Sequence, residues 1–531
     1  MRKSKLIAPA AIAAMAGLLL VPAASNAKVG QTVDILLKGG TVYFGDLNPP
    51  VTTDIGIDGD KIVFVGDARK ANIKSKKTLD VQGMMVAPGF IDAHVHADDE
   101  MASPDAKRRF VARQAFQGVT TDVLGVDGYG TPDVGQQLKA YEAAGVGQNV
   151  AAYVGFGAVR ERILQDSARA PSPAELEEMK ALTAKGMCEG ALGLSSGLFY
   201  APQSFATTEE VIAVAKEAGK RGGLYDTHQR DEGDSSIGVV TSLKEAIRIG
   251  EESGATLHVA HIKVSGGDTT MVDLVNMINA ARANGQMVTA DQYPWTAANT
   301  GLEAAVIPRW AQDGGREAMV KRLNDPADVA RIESEAPVPD ALAEKIMLSG
   351  VPNERDVQGK RLSELAKEWG ITPIAAAIRI LKTSEADVVV FVMNEQDIVT
   401  AMKQPWVMSS SDGAEDEHPR GYASFPRQWT NYVVDQKVLT PVQFVHRSTG
   451  LPADTFHLTD RGYIRKGYFA DIVVIDPKTY KGLATYTEPT LLSTGVQDIL
   501  VNGKLEIENT HPTGVLNGRG LTRAPKPGTC S

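Results

Sequence analysis

The feature that most constrains this chain is a recurrence of short apolar, strand-like stretches separated by amphipathic helical segments. Eight of them stand out: Met85 to His96, Thr120 to Val126, Val150 to Phe156, Gly190 to Ser195, Gly223 to His228, Thr256 to His261, Met287 to Tyr293 and Trp406 to Asp412. Strands that alternate with helices bury both faces of a parallel sheet, and eight such units predict an α/β fold built on a (β/α)8, TIM-like barrel. An open doubly wound sheet is the competing arrangement. It is disfavoured because no Gly-x-Gly-x-x-Gly turn follows the first strand.

The text on either side of this repeat differs in kind. From Val33 to Ala87 it is made of β-branched runs broken by Gly and Asp turns, and the same texture returns in Gly462 to Ile464, Ala470 to Ile475 and Ile499 to Lys504. Both chain ends are therefore expected to complete one small β-sandwich, from residues 28–87 and 461–531, around a barrel spanning 88–460. A charged segment at about 301–404, interrupted by Pro337-Val338-Pro339, is too long for an ordinary barrel connection. A helical insertion before the last barrel strand, acting as a lid or subdomain, is expected there.

Residues 1–27 open on Arg2, Lys3 and Lys5, continue through an apolar stretch and end in Ser25-Asn26-Ala27. That order predicts a secretory signal segment, hence an exported protein, periplasmic or secreted, with no stable membrane insertion after cleavage. Export permits disulfides, but the two cysteines are Cys188, in a strand-like apolar segment, and Cys530, at the far end of the chain, and they are not expected to pair. A net charge of −10 with no basic tract excludes a nucleic-acid binder. A homo-oligomer remains compatible with the composition.

Barrel active sites gather at the carboxyl ends of strands, so polar residues that end apolar strands are the ones to collect. They are His94 and His96 on the first strand, Asp127 after the second, His228 on the fifth, His261 on the sixth and Asp412 on the eighth. The first pair is one residue apart, so both imidazoles leave one face of a strand together. Four histidines and two carboxylates suit zinc or a similar borderline divalent ion, with one or two ions held depending on whether a carboxylate bridges. Tyr200, Lys263, Tyr293 and Arg420 also fall at or just after strand ends, where cationic and phenolic donors suit a substrate carboxylate.

Several segments taken together, Pro88 to His96, Glu189 to Tyr200, Thr227 to Arg230, Ala260 to Lys263, Asp291 to Pro294, Ser411 to Gly413, His418 to Arg420, Phe425 to Arg427 and Gly467 to Asp471, resemble the amidohydrolase superfamily in its N-acyl-D-amino-acid deacylase branch. The likeness runs over nearly the whole chain after the signal segment. It implies hydrolysis of the amide bond of small N-acyl amino acids, of the D series, by a metal-activated water. It also implies that His94, His96 and Asp412 hold one metal and His228 and His261 the second, with Asp412 as base and then acid, and Arg420, Lys263, Tyr200 and Tyr293 on the substrate carboxylate.

Ser195 stands where relatives outside the branch carry a carbamylated lysine, as the branch typically has a serine or threonine there. The chain departs from the branch in three places. Gly125-Val126-Asp127-Gly128 replaces a Gly-Asn-Cys-Gly turn, so Asp127 takes the position of the bridging cysteine and is expected to bridge as a harder ligand, with capping of that turn as its alternative role. His261-Ile262-Lys263 replaces His-His-Lys, and Gly155-Phe156-Gly157 replaces Gly-His-Gly. No required ligand is lost, but the pocket is altered. A dipeptidase or a cyclic-amide hydrolase, with a dipeptide-like, hydantoin-like or dihydroorotate-like substrate, uses the same chemistry and is the alternative. A non-catalytic exported binding protein would be marked by loss of a ligand, and none is missing.

Overall fold

The computed structural model describes residues 30–415 and 418–530; the expected signal segment lies outside them. The apolar runs form parallel strands, here numbered β1 (Phe90–Asp92), β2 (Val119–Leu124), β3 (Asn149–Ala152, resumed after Tyr153 as Val154–Gly155), β4 (Gly193–Gly197), β5 (Leu224–His228), β6 (Thr256–Val259), β7 (Val288–Gln292) and β8 (Val407–Ser409). One sheet runs β1-β2-β3 and a second runs from the resumed part of β3 through β4, β5, β6 and β7 to β8, every pair parallel. Beyond the strand ends, the Asp412 amide donates to the His94 carbonyl at 2.8 Å and the His96 amide to the Gly413 carbonyl at 2.9 Å, beside a parallel bridge from Val95 to Gly413. Alternate strand residues such as Val150, Leu194, Tyr225, Leu257 and Val288 pack outward against helices that include Pro173–Cys188, Thr208–Lys220, Val239–Ser253 and Met271–Ala283. This is the α/β architecture anticipated from the alternating text.

The expected first strand, Met85 to His96, is in fact two. Met85–Pro88 pairs with Ile472–Ile475 in a nine-stranded sheet, and only Phe90–Asp92 joins the parallel set. Gly89 makes the division possible: a Cβ there would lie 2.1 Å from Thr120 Oγ1. Its amide donates to the Asp471 carbonyl, while the Phe90 amide donates to that of Gly118, so hydrogen bonding changes sheets across one residue.

The nine-stranded sheet draws on both chain ends. Its order is His511–Pro512, Lys504–Glu508, Val496–Val501, Ile472–Ile475, Met85–Pro88, Thr32–Val42, Val51–Asp58 and Lys61–Gly66, with Lys74–Asp80 also on Thr32–Val42. Gly462 to Ile464, read as a strand, is loop. The chain beyond Pro512 is not sheet either, contrary to expectation. It crosses the entrances of the parallel strands, exchanging hydrogen bonds with Val150, Gly190 and Arg221. It ends in a disulfide between Cys530 and Cys188, at the end of the helix Pro173–Cys188 and not in a strand, with Cα atoms 5.7 Å apart. The cysteines therefore do pair; a separation of 342 residues hid a proximity that only the returning tail creates.

The insertion between β7 and β8 is more than helical. Ala298–Gly301, Ile346–Gly350 and Asp387–Val390 form a three-stranded antiparallel sheet, and helices including Leu362–Trp369 and Pro373–Thr383 cover a separate apolar core around Leu302, Leu348, Leu362, Ile380 and Val388. β-branched Val388, Val389 and Val390 suit the middle strand of that sheet.

Glu506, in Lys504–Glu508, is fully buried, accepts from the Asn517 amide at 2.7 Å through one oxygen and leaves the other without a partner. Burial, with repulsion from Asp471, pushes its carboxyl up to about 9 against the pull of the Asn517 amide. A carboxyl raised on folding gives stability that is complete below its unfolded value and lost as pH climbs to the folded one. Glu506→Gln is therefore expected to match the wild type near pH 5 and to gain stability up to pH 9, with about 3 kcal/mol as the ceiling near pH 7. Denaturant titrations at pH 5 and 8.5 check this, and a gain independent of pH refutes it.

Candidate metal centre

The carboxyl ends of the parallel strands bring all six expected ligands together. His94 and His96 follow β1, and Asp127 lies in the turn after β2. His228 ends β5, while His261 and Asp412 lie just beyond β6 and β8. Asp127, His261 and Asp412 have φ of 54°, 33° and 48°. Positive φ is unfavourable for residues with a Cβ, and three at one mouth mark a place where the surrounding fold holds strained backbone to aim side chains.

The donor atoms can be taken as two sets that meet at Asp127, with a donor atom of His261 also within 4.8 Å of those of His94, Asp127 and Asp412. In the first, His94 Nε2 is 3.4 Å from Asp127 Oδ1 and 3.5 Å from Asp412 Oδ1, and His96 Nε2 is 3.5 Å from Asp127 Oδ2 and 3.4 Å from Asp412 Oδ1. In the second, His228 Nδ1 and His261 Nε2 are 3.0 Å apart and lie 3.9 and 3.4 Å from Asp127 Oδ1. Ligands about 2.0–2.2 Å from a tetrahedral zinc stand roughly 3.3 Å from one another, so both sets have the spacing of a coordination shell. Both ring nitrogens of His94 and Oδ1 of Asp127 are buried with no hydrogen-bond partner among the described residues. Buried polar atoms left in that state fit a cation, and the imidazole and carboxylate donors suit a borderline divalent one.

Electrostatics follow the same geometry. Burial opposes the charge on Asp127, but His94 and His261 outweigh it and hold the carboxyl well below the usual range. Burial likewise opposes ionisation of Asp412; Arg420, His261, His96 and His94 overcome it. Arg420 Nη1 donates to Asp412 Oδ2 at 2.6 Å. Burial depresses His228 to about 3, so its ring is neutral and has a lone pair to give. Partial desolvation opposes the charge on His96, whose side chain is about 30% exposed, but Asp127 and Asp412 raise it to about 9, so a cation entering here displaces its proton.

The expected substrate contacts are near, in altered roles. Arg420 is buried, and its Nε has no hydrogen-bond partner among the described residues. Lys263 Nζ donates to Glu232 Oε1 at 2.8 Å and lies 2.6 Å from His261 Nδ1. Tyr200 leans on His228, ring centroids 4.8 Å apart, and its hydroxyl accepts from Thr300 at 3.4 Å. The Tyr293 hydroxyl is directed to Met393 Sδ at 3.6 Å, and its ring lies 4.9 Å beneath the Arg420 guanidinium. Tyr293 thus meets the site as a π face under a cation.

Glu232 is the residue that sequence reasoning missed. It is buried, with Oε2 3.4 Å from His228 Nε2 and Oε1 3.2 Å from His261 Nδ1. A carboxylate four residues past a strand-end histidine was the available signal. The centre opens into a cleft of about 540 Å³ whose walls include Phe199, Tyr200, Arg420 and, from the insertion, Thr300, Leu342 and Val390.

A model of the amidohydrolase family matches residues 77–505. D-aminoacylase of Alcaligenes xylosoxydans xylosoxydans is 32% identical over 521 residues, which are 93% of this chain and 98% of that relative. Among solved structures, a D-aminoacylase studied for its binuclear metal centre superposes with a TM-score of 0.79 at 30% identity, covering 92% of this chain and 100% of its own. N-acyl-D-glutamate deacylase from Bordetella bronchiseptica, complexed with zinc and a phosphonate inhibitor, gives the same TM-score at 28% identity, with the same coverage.

Asp127 is the carboxylate that faces all four histidines. Asp127→Ala is expected to lower the bound zinc of protein purified in zinc by about one ion per chain, measured by plasma mass spectrometry. Unchanged content would leave Asp127 as no more than the cap of its turn.

Proposed function

The chain belongs to the amidohydrolase family, and from that premise we propose which amide it cleaves and which residues do the work. It is a metal-dependent amidohydrolase that splits the amide bond of N-acyl-D-amino acids into a carboxylate and a free D-amino acid. The observation that carries this reading is the meeting of two donor sets at one carboxylate, Asp127, in a cleft that also holds Arg420 and Lys263.

Zinc is the cation that the donor set favours. His94, His96 and Asp412 would hold one ion, His228 and His261 the other, and Asp127 would join them. A divalent ion in this position supplies, when bound, a Lewis acid for the scissile carbonyl and acidifies a water. Asp412 takes the proton that water gives up and passes it to the leaving nitrogen, so hydroxide adds to the acyl carbon and the proton to the amine. Its pairing with Arg420 keeps it ionised until then. The guanidinium of Arg420 and the ammonium of Lys263 face the anionic end of the substrate, Tyr200 adds a hydroxyl, and the Tyr293 ring steadies the guanidinium.

Finer features of architecture and setting belong to the same proposal. The two parallel sheets are read as a single closed (β/α)8 barrel over residues 88–460, supported by the bonds from β1 to β8 beyond Asp92 and Ser409. The nine-stranded sheet is read as a sandwich folded over Leu37, Ile55, Val86, Ile472 and Leu500. The Cys188–Cys530 disulfide favours an exported, oxidising location.

Zinc-loaded protein is expected to hydrolyse N-acetyl-D-amino acids at least about 100-fold faster, in kcat/KM, than N-acetyl-L-amino acids, dipeptides or hydantoins, a gap of roughly 3 kcal/mol in transition-state binding. Preference for any of the others overturns the assignment. Removing Arg420 as Arg420→Ala is expected to raise KM about 10- to 100-fold, as loss of a charged hydrogen bond does; unchanged kinetics would remove it as the anchor.

A further inference from the structure

Each ligating histidine must present an unprotonated nitrogen to the ion, so its one proton has to sit on the other nitrogen and needs an acceptor there. For the pair on β5 and β6, the nitrogens that converge on Asp127 are His228 Nδ1 and His261 Nε2, 3.0 Å apart. The nitrogens turned away are His228 Nε2 and His261 Nδ1. Both meet the same side chain: Glu232 Oε2 is 3.4 Å from the first, and Oε1 is 3.2 Å from the second.

We infer that Glu232 is a positioning residue that clamps His228 and His261 through its two oxygens and fixes both as the tautomers that ligate, Nδ1 free on His228 and Nε2 free on His261. The inference rests on the proposed two-ion centre. It assigns to this chain a single carboxylate where two separate acceptors would otherwise be needed.

The three groups also have the spacing of a separate cation site, since a carboxylate and two ring nitrogens lie together. Lys263 argues against it: its Nζ, 2.8 Å from Glu232 Oε1 and 2.6 Å from His261 Nδ1, already puts a positive charge there. It also competes for His261. An ammonium only donates, and by donating to Nδ1 it would leave the proton on Nε2, where an ion must bind. Glu232 only accepts, so it favours the opposite, ligating tautomer and draws the ammonium to itself. With metal bound, Glu232 keeps the Nδ1 proton of His261, and Lys263 donates to Glu232 and no longer to His261. The ammonium then balances the buried carboxylate, which otherwise would be costly to hold beside two neutral rings.

Two measurements test the clamp, neither of them an activity. Zinc competition with a chromophoric chelator on protein stripped of metal is expected to show Glu232→Gln binding its tighter zinc about 10- to 100-fold more weakly, because the amide can accept from one histidine but turns an NH2 to the other. Apo-state circular dichroism and melting are expected to stay near wild type. Zinc affinity within twofold of wild type, in a folded variant, overturns the inference. Should the variant not fold, the wild type decides: in the zinc-loaded protein with 15N-labelled histidine, His228 is expected to carry its proton on Nε2 and His261 on Nδ1, and the reverse on either refutes the clamp. If zinc-loaded wild type binds metal in this way yet cleaves no N-acyl amino acid, the functional reading fails and the clamp stands.

Discussion

The carboxylate of Asp127 is the interaction on which the mouth of the parallel strands depends. It meets nitrogens of His94, His96, His228 and His261 at 3.4 to 3.9 Å, so rings from three strands surround one buried charge. Burying an isolated carboxylate is expensive, and here the expense is offset only if positive charge comes to it. The imidazoles do this in part, and Arg420 does the same for Asp412. A divalent cation between the two donor sets would complete the balance that the protein's own groups leave open at the partnerless atoms of His94 and Asp127.

That balance reaches outward. His94 Nδ1 lies 3.9 Å from Asp291 Oδ2, which bonds His258 Nε2 at 2.9 Å, and His258 Nδ1 meets Thr289 at 2.8 Å. Polar groups therefore continue below the centre into the space between the strands, while the apolar residues face the helices. The far end of the same strands is closed by the returning tail and its disulfide. One end is built for chemistry and strained backbone, the other for cross-linking, which is the division expected of parallel strands with their loops at opposite ends.

Much of this was legible in the sequence. The alternation of apolar strands with helices gave the strand order, and polar residues at strand ends gave all six candidate ligands, because side-chain direction along a strand is a local property with a period of two. The roles of nearby residues were harder to see. Tyr293 was read for its hydroxyl, yet packing turns that group to Met393 and offers the ring to Arg420. Lys263 is legible as a donor to a substrate carboxylate, but not its bond to Glu232. The insertion was read as helical because its charged helix formers outnumber the three short strands that Val388 to Val390 organise.

By itself, then, the sequence determined which donor types stand at which strand ends, and that an aspartate occupies the turn after β2 where the resembled branch has a cysteine. Only the tertiary structure decided which nitrogen of each imidazole faces inward, that Glu232 lies behind two of them, that Gly89 sends one apolar run into two sheets, and that Cys188 meets Cys530. The reason is physical: backbone period and residue chemistry act over a few neighbouring positions. Which atoms come within 3 to 4 Å across tens or hundreds of residues is set by how the strands and the tail pack together.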